Sequence, residues 1–314
     1  MSDYPTNLSD VRSRARACLL GLAIGDSLGA TVEFMTASEI KSRYGCHRKL
    51  IGGGWLHLRP GEVTDDTQMS LCIARSIVAV GFSPSDIARR FVEWYRGRPP
   101  DVGNTCRRGI ARFINQGTVH GQPNEGDAGN GAVMRMAPVA LAALAERNLL
   151  EIGAIGQAHI THHNPLSDAA CLLVGQLIQL ALIGHGIERL EQQAAATVAD
   201  VPKFRYLPYH GLSTAYVVDT MQTVLHFLFS TSSFEQCLVA TVNQGGDADT
   251  TGAIVGAIAG AYYGLESIPR GWIRKLDTTV RAEIEELAER LIDASPLAQG
   301  RPAALELPSM RKAG

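Results

Sequence analysis

Two short segments far apart in the chain carry more oxygen ligands than local structure requires. In GEVTDDTQMS, Thr64, Asp65, Asp66 and Thr67 stand side by side; in NQGGDADTTGA, Asp247, Asp249, Thr250 and Thr251 fall within five residues. Each segment opens an apolar run with helical spacing. One Asp or Thr at such a place is accounted for as an N-cap, its side-chain oxygen accepting from a free backbone N–H. A cap uses one such residue, and each segment supplies four. Asp26 and Glu33 add two more carboxylates, seven residues apart and therefore on one face if the helix holding Asp26 continues. Carboxylates gathered in a core raise one another's pKa unless a cation neutralises them. Hard oxygen ligands, without a cysteine or histidine cluster, select magnesium, manganese or calcium over zinc. The chemistry on offer beside plain capping is a carboxylate cage for hard cations, built from two halves that the fold must bring together.

The elements that position these halves have a feature of their own. Gly21, Gly25 and Gly29 recur every four residues, as do Gly252, Gly256, Gly260 and Gly264. Residues four apart share one helix face. A glycine inside a helix costs roughly 1 kcal/mol relative to alanine, so these stripes point to tight helix crossing in a crowded core. Apolar residues at helical spacing also cover 14–30, 67–80, 83–97, 106–114, 131–146, 151–161, 166–182, 213–229, 233–243, 250–264 and 281–294. Strand alternation is hard to find. Residues 47–61 form a glycine-rich loop with an extended piece, and 201–211 form a long connection broken by Pro202 and Pro208. No low-complexity linker divides the chain. The expected fold is all-α: one compact multi-helix domain over 1–295, followed by a loosely structured tail over 296–314.

The bulk composition sets the bounds. Of 314 residues, 46% are apolar and 19% charged, with a net charge of −2, which suits a globular chain with a substantial core. That balance offers no broad basic field for nucleic acid or an anionic membrane. Six cysteines lie far apart with no C-x-x-C pair, the pattern of reduced thiols in a cytoplasmic protein rather than a disulfide frame or zinc site. Basic residues before ACLLGLAI imitate a signal peptide, but the apolar run is short and Asp26 follows closely. AIVGAIAGAYYG is well short of the roughly 20 residues a membrane span needs, so no integral membrane segment is expected.

Taken together, GLAIGDSLGATVEF, GEVTDDTQMS, RPPDVGNTCRRGI, EGDAGNGAVMRMAP, ITHHNPLSDAAC and VNQGGDADTTGA resemble the ADP-ribosylglycohydrolase family, over roughly Arg14 to Ala294. TDDT alone is a weak signal; its combination with GGDADTTGA is specific. HRKLIGGGWL, PDVGNTCRRGI and AYVVDTMQTVLH carry the likeness toward the branch that acts on dinitrogenase reductase. The resemblance implies an all-helical fold, a dinuclear centre of Mn2+ or Mg2+, and hydrolysis of the bond between ADP-ribose and an acceptor. In this branch the acceptor is an arginine of dinitrogenase reductase, and a PII-type nitrogen-signalling protein is a further implied partner. Other ADP-ribose conjugates, serine-linked or O-acetyl-ADP-ribose, remain alternative substrates. A non-enzymatic ADP-ribose-binding role would not need a complete cage.

The same resemblance implies site residues. Thr64, Asp65 and Asp66 form one half of the metal site and Asp247, Asp249 and Thr250 the other, with Asp249 as the bridge; Glu33 contacts metal directly or through water. Asp101 is the implied acid/base carboxylate, although spacing alone makes it a turn residue before Gly103. Asn104 is the implied sugar contact, and Glu125 lies near the distal ribose. Gly126, Gly129 and Gly131 free the backbone to approach a diphosphate, and a helix starting near Gly131 would offer it N–H groups; by themselves such glycines are as readily a turn. His162 is the implied ligand-contacting histidine, and its tandem with His163 leaves open which one faces the site. Tyr216 lines the pocket in this reading; by spacing alone it is a core residue.

Overall fold

The computed structural model describes residues 7–300. Among them are fourteen α-helices, joined by turns, short 3-10 segments and three isolated β-bridges. The first seven helices are α1 (Leu8–Gly29), α2 (Ala37–Tyr44), α3 (Asp65–Val80), α4 (Pro84–Arg96), α5 (Asn104–Gln116), α6 (Ala137–Ala142) and α7 (Arg147–Ala158). The others are α8 (Pro165–Leu182), α9 (Ile187–Asp200), α10 (Val217–Ser230), α11 (Phe234–Val242), α12 (Ala248–Tyr263), α13 (Arg270–Lys275) and α14 (Thr278–Asp293). The all-α expectation holds. The beginning of the expected tail forms turns, with the Leu297 N–H donating to the Leu144 carbonyl at 3.2 Å; its remainder, 301–314, lies outside the described residues.

The two glycine-striped helices are the centre of the molecule and cross each other antiparallel. A methyl built on Gly21 would overlap the Gly256 carbonyl; on Gly25, that of Gly252; on Gly29, that of Ala248; and on Gly260, that of Ala17. Residue numbers rise on α1 as they fall on α12, in steps of four, so the backbones touch along one continuous seam. Gly264 does not belong to it, contrary to the sequence pattern: it stands just beyond α12 at φ +79°, with open space beside it, and ends the helix. Helices α8, α10 and α11 pack around α12, while α3, α6 and α14 cover α1. α8 is the one helix among the described residues long and apolar enough to cross a membrane; most of it is buried, against α6, α7, α9, α10 and α12. All six cysteines are free thiols, five of them buried.

α1 stops at Gly29, within one residue of the end of the helical pattern, and a turn carries the chain to Glu33, so the condition for Asp26 and Glu33 to share a helix face is not met. Two other sequence-based boundaries shift, each for a local reason. The 131–146 segment is not one helix: turns occupy 131–135, and α6 begins only at Ala137. Pro138 can sit only in a first turn, since it lacks an N–H and clashes with a preceding one. The 213–229 run begins its helix at Val217, because Asn130 N–H donates to Ala215 O at 3.1 Å and Val217 N–H to Ala128 O at 3.0 Å. These bonds hold the two site loops side by side.

Candidate active site and metal centre

The start of α3 is capped from elsewhere. Asp26, buried in α1, accepts the Thr64 N–H at 3.0 Å, the Thr67 N–H at 3.1 Å and the Thr67 hydroxyl. Thr64 itself makes no side-chain cap. Asp65 and Asp66 are therefore released from capping. Asp65 Oδ2 accepts the Gly103 N–H at 3.2 Å, tying the α4–α5 loop to the cluster. Asp66 Oδ2 accepts from Thr64 Oγ1 at 3.2 Å and from Thr250 Oγ1 at 3.4 Å, across the α3–α12 contact. Asp66 Oδ1 is buried with no protein partner.

The start of α12 is shaped by Gly245 and Gly246, at φ +76° and +64°. Only glycine holds that conformation without strain, and a methyl on Gly246 would overlap the Ser213 carbonyl. The turn lets Phe34 N–H reach Gly246 O at 2.7 Å and Asp247 N–H reach Ser213 O at 3.0 Å. Asp247 occupies the N-cap position without capping; its Oδ2 accepts from Asn130 Nδ2 at 2.7 Å. Glu33, delivered by the turn after α1, accepts Trp55 Nε1–H at 2.6 Å. Carboxylate oxygens of Glu33, Asp247 and Asp249 lie within 4.8 Å of one another.

Capping thus explains neither acidic cluster, and the donor set fits hard cations. Desolvation, with the charges of Asp247, Asp101 and Asp65, pushes Glu33 up to about 8. Desolvation, with Asp101, Asp26 and Asp247, pushes Asp65 up to about 7. Burial, then the charges of Asp26, Asp65 and Asp247, raise Asp66 well above the ordinary range; burial, then Asp66, Glu33 and Asp247, do the same for Asp249. Buried carboxylates in this state need protons or cations, and the orphaned Asp66 oxygen is an open ligand position.

A cavity of about 800 Å³ opens over the cluster, and every expected site residue lines it except Thr64, which is buried behind. Asp101, in the α4–α5 loop, is half-buried; its Oδ1 accepts the Val102 N–H at 2.7 Å, so it retains a turn role while facing the cavity. Burial and the charge of Asp247 raise its pKa. Asn104 opens α5, and Glu125 and Gly126 lie in a short 3-10 turn at the rim. Between the tandem histidines the structure chooses His162: it is buried in the cavity wall, whereas His163 bonds to Gly121 O at 2.6 Å and stacks on His159 at 3.6 Å. Gly129 and Gly131 sit against the His162 ring, where a methyl would come within 3.0 Å and 2.8 Å of it. No helix starts at Gly131, so the expected helix N-terminus is not there. Tyr216 is 39% exposed at the mouth rather than in the core. Asp26, counted in the sequence with the cage carboxylates, instead spends its oxygens on the α3 start. Trp55 and Asn130 are supporting residues for which the sequence carries no local signal.

An all-helical domain whose central helix pair and a third helix bring clustered carboxylates to one open cavity is the architecture of an enzyme with a buried acidic site that could hold a metal ion. The chain belongs to the ADP-ribosylglycohydrolase family, whose model matches residues 7–301. It is 53% identical, over 90% of its own length and 96% of the relative's, to the ADP-ribosyl-[dinitrogen reductase] glycohydrolase of Rhodospirillum rubrum. It is 31% identical to the ADP-ribosylarginine hydrolase Tri1 of Serratia proteamaculans, over 92% of this chain and 81% of that protein. Among solved structures, a chain of an ADP-ribosylglycohydrolase-related protein complex matches with a TM-score of 0.80 and 34% identity, over 91% of this chain and 99% of that one.

Proposed function

We propose that this protein hydrolyses the N-glycosidic bond between ADP-ribose and an arginine of a modified protein, with dinitrogenase reductase as the target. The observation that carries the reading is the placement of Asp101 on the same cavity as the two carboxylate clusters. The names of the relatives at 53% and 31% identity agree with it. A cavity of about 800 Å³ is within the range of small-molecule sites. Glu33, Asp65, Asp66, Asp247, Asp249 and the hydroxyls of Thr64 and Thr250 would hold two divalent ions, Mn2+ or Mg2+. Such ions supply Lewis-acid polarisation and fix the orientation of sugar oxygens.

The chain's own groups do the rest. Asp101, its pKa raised by burial and by Asp247, keeps a larger protonated fraction than an exposed aspartate and is placed for general acid/base work. That role is typically worth about 10²–10⁴-fold. Asn104 and Glu125 line the cavity on either side of the α5 start and its facing loop, suited to sugar hydroxyls. The acidic wall attracts the guanidinium of an arginine acceptor by Coulomb interaction, weakened by solvent at the rim. The reaction belongs in the cytoplasm, where the target is made, and a PII-type protein is a fitting regulator.

The test is a side-by-side assay of Mn2+-loaded enzyme on arginine- and serine-ADP-ribosylated peptides, counting released ADP-ribose. Arginine conjugates are expected to be cleaved and serine conjugates left largely intact. Faster release from serine would replace the proposed substrate with the alternative one, and release from neither would remove the enzymatic reading.

A further inference from the structure

Behind the cavity wall lies a fully buried arginine. Arg135 sits in the turns before α6 with no exposed surface. Its hydrogen-bond partners are all neutral. Nε donates to Gln157 Oε1 at 2.7 Å; Nη2 donates to Gln157 O at 3.0 Å and to Thr161 Oγ1 at 2.8 Å. Its guanidinium also lies 4.8 Å from the centre of the Phe91 ring. A buried cation with no carboxylate hydrogen-bonded to it is costly, even with the charge of Asp65 nearby, so its neighbours should show what it does there.

The chain of contacts leads into the cavity. Thr161 Oγ1 accepts a hydrogen bond from Arg135, which has donors only. The hydroxyl's own hydrogen then needs an acceptor, and the ring Nδ1 of His162, 2.7 Å away, is a stronger acceptor than the nearby Cys106 sulfur. An Nδ1 that accepts leaves the single proton of a neutral imidazole on Nε2. Burial, with the nearby charges of Arg135 and Arg108, holds His162 well below its ordinary pKa, so the ring stays neutral. Its Nε2 lies against Gly129 and Gly131, the two glycines whose missing side chains make room for the ring. All three residues line the cavity.

We propose that Arg135, acting through the Thr161 hydroxyl, is a positioning residue that holds His162 as its Nε2–H tautomer, presenting a neutral hydrogen-bond donor to a diphosphate oxygen of the ligand. The identity of that ligand rests on the function proposed above; the tautomer does not. A neutral donor binds an anionic oxygen at every pH at which the protein works. A ring in the opposite tautomer would point a lone pair at the same oxygen and repel it.

The experiment is nitrogen–proton correlation spectroscopy of Mg2+-loaded, 15N-histidine-labelled protein, with His162 assigned from its loss in His162→Gln. The parent ring is expected as neutral Nε2–H from about pH 6 to about pH 8. Thr161→Val keeps the shape and removes the relay: the tautomer should become mixed, and the Kd for ADP-ribose, measured by calorimetry, should weaken about tenfold, the loss of one hydrogen bond of about 1.4 kcal/mol. Thr161→Ser should restore both. Arg135→Met should mix the tautomer as Thr161→Val does, and Thr161→Val decides the matter if Arg135→Met does not fold. An Nδ1–H or protonated ring in the parent, or an unchanged tautomer in Thr161→Val, overturns the proposal. A parent that fails to bind ADP-ribose, with the Nε2–H tautomer intact, overturns the function proposed above and leaves this assignment standing.

Discussion

Stripped of divalent ions, the protein should lose stability as pH rises from about 5 to about 8. Asp65 is carried from its ordinary 3.8 to about 7, Glu33 from 4.5 to about 8 and Asp26 from 3.8 to about 6, in each case first by desolvation. In the unfolded chain the same carboxyls release their protons near the ordinary values. Between the two values the folded state holds protons that the unfolded state has given up, and stability falls with rising pH wherever that is so. Below about 4 the contribution is wholly retained; above about 8 it is wholly lost. Between pH 5 and its folded value of about 7, Asp65 alone, at about 1.4 kcal/mol per pH unit, corresponds to about 3 kcal/mol. At roughly 2.1 cal/mol/K per residue, a chain of 314 residues shifts its Tm by about 1.5 °C per kcal/mol, so a fall of at least about 4 °C is expected. Cations that replace the protons should reverse the trend, adding about 2.7 kcal/mol at a hundredfold excess over Kd, and more at high pH than at low. The assay is a set of thermal melts in EDTA and in Mn2+ at both ends of the range. In Asp249→Ala, which removes one carboxylate of the 4.8 Å triad, the Mn2+ effect should shrink. A metal-free Tm that is flat or rising over this range, or an equal Mn2+ shift at both ends, would refute the account of the cluster as a cation cage.

Two further outcomes follow from the geometry. Asp101→Asn preserves shape and removes the proton-transfer group, so turnover on an arginine conjugate should fall at least about 100-fold while ADP-ribose binding changes little; near-normal turnover would leave Asp101 with only its bond to Val102. Gly256→Ala places a methyl on the Gly21 carbonyl, where backbone cannot yield as a side chain would; overpacking of about 1–3 kcal/mol should exceed the roughly 1 kcal/mol of helix propensity gained, and a variant more stable to urea than the parent would contradict the close seam between α1 and α12.

Much of the site was legible because its signals are local in sequence. The acids of TDDT and DADTT stand at helix starts that apolar spacing identifies, and their excess over capping needs is a count anyone can make. What was not legible was which oxygen each N–H would use. The N-terminus of α3 takes its cap from Asp26, 38 residues before Thr64, and those bonds free Asp65 and Asp66. Whether Glu33 lay on a continued helix was open in the sequence; it arrives by a turn. The helix expected from Gly131 begins only at Ala137, with Pro138 in its first turn. Trp55 and Asn130 hold Glu33 and Asp247 from segments with no pattern of their own.

The sequence by itself determined that this protein is helical, that two of its helices can touch backbone to backbone, and that it owns enough hard oxygen for a cation cage. These are properties of residue type and spacing, and helical periodicity is written within a few turns of chain. Only the tertiary structure decided which carboxylate caps and which is left free, which of two adjacent histidines enters the cavity, and that Tyr216 stands at its mouth. Each of those outcomes depends on a hydrogen bond or a packing contact between segments far apart in the chain. The α1–α12 seam, closed because glycine backbones can approach where any side chain would hold them apart, and Asp26 of α1, which holds the α3 start, together set Asp249 and Thr250 beside Asp66.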